Sequence, residues 1–329
     1  MRYRKFGRMP WKVSEVGMGC WELSGVSRAG GMGYGSMDDR TAIRLVHRAV
    51  DLGINFFDTA DAYGVGHSEV VIGRALKELS EKPGVSVPYV ATKGGNNFYV
   101  QPWKKSFDRE YLKNACENSL QRLGLDCVDL YQMHGPGVEV IRDGEMWDAL
   151  EELKKEGKIK AYGISIMATE EGVAALEAAP GLDALMCTYN ILEQENAVFF
   201  PTALEKGVAI IARSPLATGR LTGAFTRDTE FEEGDYRTRF GKEWVLDAVE
   251  KAERLGFLVK GDTASLAQAA LKFILAQEAV AVAVPGPKTL AELEDNVRTA
   301  ESTPLSSEDL AKLRELTDQG LLGSRPSTV

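Results

Sequence analysis

The stretch INFFDTADAYG, residues 54–64, is the one on which the fold turns. It opens as a short apolar run of strand type and passes at once into Asp58, Asp61 and Tyr63. Just before it, residues 39–52 carry Ile43, Val46 and Val50 at helical spacing, the pattern of one buried helix face. Helix, strand and polar turn follow one another here, and the same order recurs along the chain.

The recurring strands are PYVATK (88–93), CVDLYQMH (127–134), IKAYGIS (159–165), LDALMCTY (182–189), VAIIARSPL (208–216) and VAVAVPG (280–286). Counting SEVGMGC (14–20) as the first gives eight strand candidates, with helices expected near 108–123, from about 144 to 157 and beginning with ATEEG. Gly157 and Gly207 stand where helices end in left-handed backbone. Strand–helix alternation means a parallel sheet, and eight strands in 329 residues predict an α/β fold, a (β/α)8 TIM barrel. We expect a single domain over 1–329, with a loop insertion at about 218–241 and a C-terminal helix at about 306–320, begun by Ser306 or Ser307 and followed by a mobile tail. Within the insertion, RDTEFEEGDYRTR reads first as a solvated mixed-charge loop and second as a cover over a cofactor.

A doubly wound dinucleotide fold competes, because GGMGYGS occupies 30–36. Its last position is Ser36 where the fingerprint needs glycine, and polar SGVSRA precedes it where an apolar strand is required. It reads as a flexible loop.

The net charge of −9, from 39 basic and 48 acidic residues, argues against nucleic-acid or membrane-surface partners, which favour a basic face. The opening MRYRKFGRMPWK lacks the apolar core of a secretory signal, and no apolar run reaches the length of a membrane span. Cys20, Cys116, Cys127 and Cys187 form no close pair, so reduced core cysteines and a cytoplasmic setting are expected. His47, His67 and His134 show no metal-ligand spacing, and no metal is expected.

In a barrel, chemistry collects where the strands end at their C-terminal mouth. Asp58, Lys93, His134 and Ser165 end four successive strand candidates, and Tyr63 follows five residues after Asp58. Singly, each has a structural reading: Asp58 as a turn cap, Lys93 as a solvated charge, His134 as a satisfied barrel-end histidine. Together they form a proton-transfer set. An ammonium beside Tyr63 would pull its phenol toward neutrality, Asp58 would keep Lys93 charged, and His134 would orient a substrate oxygen. With no nucleophile–base pair in view, such a set suits carbonyl reduction by a bound hydride donor. Asp61 has the weaker claim and reads as turn chemistry.

These segments resemble the aldo-keto reductases over nearly the whole chain. The resemblance rests on GMGCWELSG, GINFFDTADAYGVGHSEVVIGRAL, VATKGG, SLQRLGLDCVDLYQMHGP, GKIKAYGIS, RSPLATGRLTG and VPGPKTLAELEDNV. It implies a barrel binding NADP(H) in extended form, with Tyr63 as general acid, Lys93 as its modulator, Asp58 as partner of that lysine and His134 as substrate-orienting residue. It also implies cofactor contacts from Cys20, Trp21, Asp58, Ser165, Met186, Arg213, Ser214, Pro215, Leu216, Gly219, Gly286, Lys288, Glu292 and Asn296. Trp21, Tyr63 and His134 would face the substrate, a small carbonyl compound or sugar. Ile166 and Met186 replace amides the family usually offers to the carboxamide, and Arg213 replaces an aromatic. Lys288 suits a 2′-phosphate, while Glu292 stands where glutamine is usual and leaves NAD(H) or dual use open. Ser68 in the HSE segment would cap a helix, and Phe98, Tyr99 and Trp103 would either wall the pocket or pack their own loop. Two functions follow from the resemblance: a carbonyl reductase, or in reverse an alcohol or sugar dehydrogenase, and alternatively a slow-turnover, cofactor-binding regulatory subunit.

Overall fold

A computed structural model describes residues 1–25, 35–179 and 181–323. Most of the GGMGYGS string and the tail after 323 lie outside the described residues. Eight parallel strands form one sheet in chain order: β1 (Met18–Gly19), β2 (Phe56–Asp58), β3 (Tyr89–Gly94), β4 (Val128–His134), β5 (Ile159–Ser165), β6 (Ala184–Thr188), β7 (Ala209–Arg213) and β8 (Val280–Ala283). The sheet closes on itself. Val16 pairs in parallel with Ala283, Gly17 N–H donates to Ala283 O at 2.8 Å, and Gly19 N–H donates to Pro285 O at 2.9 Å. The expected (β/α)8 barrel is therefore the fold.

The helices are α1 (Asp39–Asp51), α2 (His67–Ser80), α3 (Arg109–Leu123), α4 (Val138–Asp143), α5 (Glu145–Lys155), α6 (Thr169–Ala178), α7 (Phe200–Glu205), α8 (Lys242–Leu255), α9 (Leu266–Leu275), α10 (Leu290–Arg298) and α11 (Ser307–Asp318). Local chemistry sets their ends. Asp38, Asp108 and Ser306 cap α1, α3 and α11 through side-chain oxygens, and Gly157 and Gly207 take φ of 73° and 65° just past α5 and α7. The buried face of α1 is Ala42, Leu45, Val46 and Ala49, so Ile43 and Val50 lie at its margin rather than at its centre. Ser68 does not cap α2. That position is Gly66, at φ 87°, and the Ser68 hydroxyl instead donates to Cys20 O at 2.7 Å, tying the helix to the end of β1.

Two strands stop earlier than expected. After β7 the backbone turns left-handed at Ser214, φ 51°, which ends pairing at Arg213. After β8, Pro285 has no N–H to give a neighbouring strand. The N-terminal dodecamer forms an antiparallel hairpin, Tyr3–Lys5 with Lys12–Ser14, whose Phe6, Trp11 and Val13 join the barrel interior. Phe6 stacks on Phe56 at 5.5 Å, closing the end of the barrel opposite the mouth. Among the described residues no helix is long and apolar enough to cross a membrane.

The layer of helices is packed tightly at Gly73 of α2. A Cβ there would sit 2.6 Å from Leu123 O and 2.7 Å from Arg122 O, both backbone atoms of α3. Gly73→Ala is expected to lower the unfolding free energy by about 2 kcal/mol through overpacking, read by urea denaturation. Unchanged stability would show that α2 and α3 can separate freely.

Candidate active site

Side chains from β2, β3 and β4 meet inside the mouth. Lys93, wholly buried on β3, donates from Nζ to Asp58 Oδ2 at 2.7 Å, to Thr59 O at 2.7 Å and to Tyr63 OH at 3.3 Å. Gln132 of β4 donates to Asp58 Oδ1 at 3.1 Å. Burial pushes the Asp58 carboxyl up, and Lys93 and Gln132 pull it back. Burial pulls Lys93 down, but Asp58 and Tyr63 outweigh it, so its ammonium is held above the ordinary lysine value. Lys93 and Asp58 have the geometry of an ion pair.

Tyr63 departs from expectation. Burial raises its phenol above the ordinary tyrosine value, and the Lys93 charge only partly offsets this. The hydroxyl is therefore protonated at neutral pH, not drawn toward neutrality. His134, whose ring lies edge-on to Tyr63 with centroids 6.0 Å apart, is pushed well below the ordinary histidine value by burial and then by Lys93, Lys105 and Arg213. The Asn96 side-chain amide lies 2.9 Å from His134 Nδ1. With the amide donating, the neutral ring carries its proton on Nε2, opposite the Asn96 contact.

Ser165 ends β5, buried and level with His134 on one side and Met186 on the other. Met186 is buried in the cluster that fills the barrel interior, together with Ala184 and Ile211. Arg213 ends β7 and donates to Ile166 O at 2.9 Å, while its buried Nε has no partner. Beyond it, Ser214, Ala217 and Thr218 all take positive φ, of 51°, 48° and 60°. Pro215 and Leu216 lie between them, and Gly219 follows at φ 94°. Non-glycine residues seldom adopt this backbone, and here it folds the segment on itself, the Ala217 N–H donating to Ser214 O at 2.9 Å and the Gly219 N–H to Leu216 O at 3.0 Å.

On the opposite wall, Cys20 is wholly buried and Trp21 is partly exposed, 6.4 Å from the Tyr63 ring. Glu22 is packed under the loop after β8: a Cβ on Gly286 would lie 1.8 Å from its carboxylate. Burial pushes Glu22 up to about 7, with Glu292 adding to the rise and Lys288 and Arg237 opposing it. Lys288 shares its surroundings with acids. A Cβ on Gly35 would be 3.2 Å from Lys288 Nζ, 3.6 Å from Glu232 and 3.9 Å from Asp235. Glu292 accepts the Lys288 N–H at 2.7 Å, and its own N–H donates to Thr289, a reciprocal cap at the start of α10. Asn296, on the same helix, is buried.

The 218–241 segment is not simply solvated. Phe225, Phe231, Phe240 and Trp244 pack together, with Arg220 over Trp244 and Arg237 over Phe231. Tyr236 meets Trp21 edge-on at 5.2 Å, which brings the segment to the mouth. Phe98 packs on Tyr99 and Trp103 within their own loop. Asp61 is also more than turn chemistry: it is 1% exposed, and neither carboxylate oxygen has a partner. Gln132 and Asn96 were not anticipated. Gln132 stands two residues before His134, on the same face of one strand, and that period was the available signal.

Because the folded chain holds a proton on Glu22 that the unfolded chain releases, its contribution to stability falls as pH rises from 4.5 to about 7 and is level above. Glu22→Gln should therefore gain on the wild type across that window, by up to about 3 kcal/mol at pH 8. Thermal melts at several pH values read this, and a pH-independent difference would contradict it.

Comparison with known proteins fits this geometry. The model of the Aldo/keto reductase family matches residues 15–318. The NADH-specific methylglyoxal reductase of Escherichia coli (strain K12) is 30% identical over 323 residues, covering 93% of this chain and 95% of its own. The solved holo form of aldo-keto reductase AKR11C1 from Bacillus halodurans is 31% identical with a TM-score of 0.77, covering 96% of each chain. Glycerol dehydrogenase AKR11B4 from Gluconobacter oxydans is 27% identical with a TM-score of 0.81, covering 99% of this chain and 98% of its own. A closed eight-stranded barrel, a match over nearly its whole length and these relatives make the chain a member of the aldo-keto reductase family.

Proposed function

We propose that this chain reduces the carbonyl group of small aldehydes, ketones or sugars to an alcohol with NADPH or NADH, Tyr63 giving the proton. The observation that carries this reading is the buried Lys93 ammonium. It is held by Asp58 and Thr59 and lies 3.3 Å from the hydroxyl of a protonated Tyr63.

The chain's residues suit a dinucleotide. The left-handed backbone at Ser214 and Thr218 would bring main-chain donors to a pyrophosphate, while the Glu22 carboxylate fills the space against Gly286. Ser165 and Arg213, whose buried Nε has no partner, would hold a nicotinamide, and Lys288 and Asn296 the adenosine end. A reduced nicotinamide, when bound, supplies the hydride. As the carbonyl carbon gains that hydride, the carbonyl oxygen becomes an alkoxide and takes the Tyr63 proton. The phenolate left behind is steadied by Lys93. His134 donates from Nε2 to the same oxygen and fixes its direction. In the oxidising direction the phenolate takes the proton from an alcohol. The Trp21 ring, 6.4 Å from that of Tyr63, would wall the substrate pocket.

Lys288 supports NADP(H), and the acids gathered about it, Glu232, Asp235 and Glu292, support NAD(H). We therefore take the site to accept both. The same proposal has 1–329 working as one domain in the cytoplasm, supported by a barrel closed between its first and last strands and by four unpaired cysteines.

Two measurements test this. NAD(P)H absorbance is followed with methylglyoxal, glyceraldehyde and a panel of ketones and aldoses. Tyr63→Phe is expected to lower kcat by about 100-fold or more while nucleotide binding persists. No wild-type turnover above that of the variant on any substrate would sink the enzyme reading. Lys288→Ala should weaken NADPH binding about tenfold and leave NADH unchanged, a difference of about 1.4 kcal/mol. Equal losses for both nucleotides would remove Lys288 from 2′-phosphate recognition.

A further inference from the structure

Behind the catalytic strand ends, on the helix side of the barrel wall, buried polar atoms converge without pairing. Both Asp61 carboxylate oxygens and the hydroxyls of Tyr111 and Tyr131 lack a hydrogen bond of good geometry, with only the Ala62 N–H beside Asp61 and the Gly95 N–H beside Tyr111. Asp61 is 1% exposed and Tyr131 is wholly buried. All three surround the end of β3. The Asp61 N–H donates to Lys93 O at 3.1 Å, a Cβ on Gly94 would lie 2.1 Å from the Tyr131 hydroxyl, and the Tyr111 hydroxyl faces the Gly95 N–H. Asp61 acts electrostatically on both tyrosines, and Tyr111 acts on Tyr131.

The other polar groups nearby are already committed. Glu69 accepts from Thr92 and from Arg122, at 2.5 and 2.6 Å, and Lys105 donates to His134 O. Buried polar atoms left unpaired cost about 1–3 kcal/mol each, and native interiors usually meet such groups with water. A site with a carboxyl and two hydroxyls offers the two to four partners a buried water needs.

We propose that Asp61, Tyr111 and Tyr131 enclose an ordered water that ties the turn after β2 to the helix layer, making Asp61 a positioning residue for Tyr63. Burial, and then the Glu69 carboxylate, push Asp61 well above the usual range against the pull of Arg122, the Ala62 N–H and Lys93. Lys105 also faces it. Burial thus favours the protonated form of Asp61, which can donate as well as accept. The turn it anchors is short. Thr59 O takes the Lys93 ammonium, and the Tyr63 N–H donates to Ala60 O at 3.1 Å. A shift of that turn moves the Tyr63 hydroxyl relative to Lys93. The water bridge stands on buried geometry, and its effect on turnover rests on the carbonyl-reductase reading.

The test is a high-resolution crystal structure of the full chain together with Asp61→Asn and Asp61→Leu, assayed with methylglyoxal and either nucleotide. Water density within hydrogen-bond distance of Asp61, Tyr111 and Tyr131 is expected in the wild type. Asp61→Asn, which keeps a donor and an acceptor, should retain the water and the kcat pH profile, with kcat within about threefold. Asp61→Leu should lose the water and about tenfold in kcat at unchanged nucleotide Kd, a loss near 1.4 kcal/mol. If Asp61→Leu does not fold, Tyr131→Phe replaces it and should displace or lose the water with a smaller fall in kcat. An empty or directly hydrogen-bonded Asp61, or Asp61→Asn as damaged as Asp61→Leu, overturns the proposal. Should the wild type show no turnover, the functional reading fails and the density alone decides the bridge.

Discussion

The site depends on one buried ion pair. Lys93 and Asp58 are 2.7 Å apart and almost wholly out of water, where each charge alone would cost several kcal/mol. The pair is tolerable because its valences are met. Each of the three Lys93 hydrogens has an oxygen to point at, on Asp58, Thr59 and Tyr63, and the second Asp58 oxygen takes the Gln132 amide. Those groups come from three strands, so the register that sets Asp58 beside Ala91 and Lys93 beside Gln132 is what makes the charges affordable. Removal of either partner would leave the other charge unpaired, a loss of about 3–5 kcal/mol.

That ammonium then governs its neighbours in opposite senses. It favours a phenolate on Tyr63 and disfavours a charged His134, and burial acts beside it on both. Burial is the larger influence on each. It leaves a protonated phenol and a neutral imidazole side by side, one to give a proton and one to hold an oxygen. The far wall is arranged differently. Around Gly286, a half-neutralised Glu22, Lys288, Glu292 and Arg237 stand close enough to bias one another, and the 218–241 segment brings aromatic packing and Tyr236 to the same mouth.

The fold was legible because its signals are periodic and local. IKAYGIS is strand β5 to the residue, and Asp108, Gly157 and Gly207 mark helix ends by their own backbone chemistry. The four residues gathered at the mouth were legible because barrel topology forces strand ends together, whatever their distance in sequence. What escaped was set by packing. Asn96 orients His134 from a two-residue strand, Asn96–Asn97, paired with Lys104–Lys105 and too short to carry a period, and Tyr63 rises rather than falls because burial cannot be weighed from a spacing. Asp61 looks like a turn residue in DTADAY, yet the fold leaves it 1% exposed. The aromatic residues of 218–241 are spread among charges, so their cluster has no sequence period to announce it.

The most direct test of this account is the charge on Lys93. Selectively ¹⁵N-labelled lysine, with the Nζ signal assigned by Lys93→Met and followed by NMR from pH 6 to 10, reports that state. The account predicts an ammonium shift throughout in the wild type and its loss to a neutral amine within that range in Asp58→Asn. A neutral Lys93 in the wild type at pH 7 would contradict it.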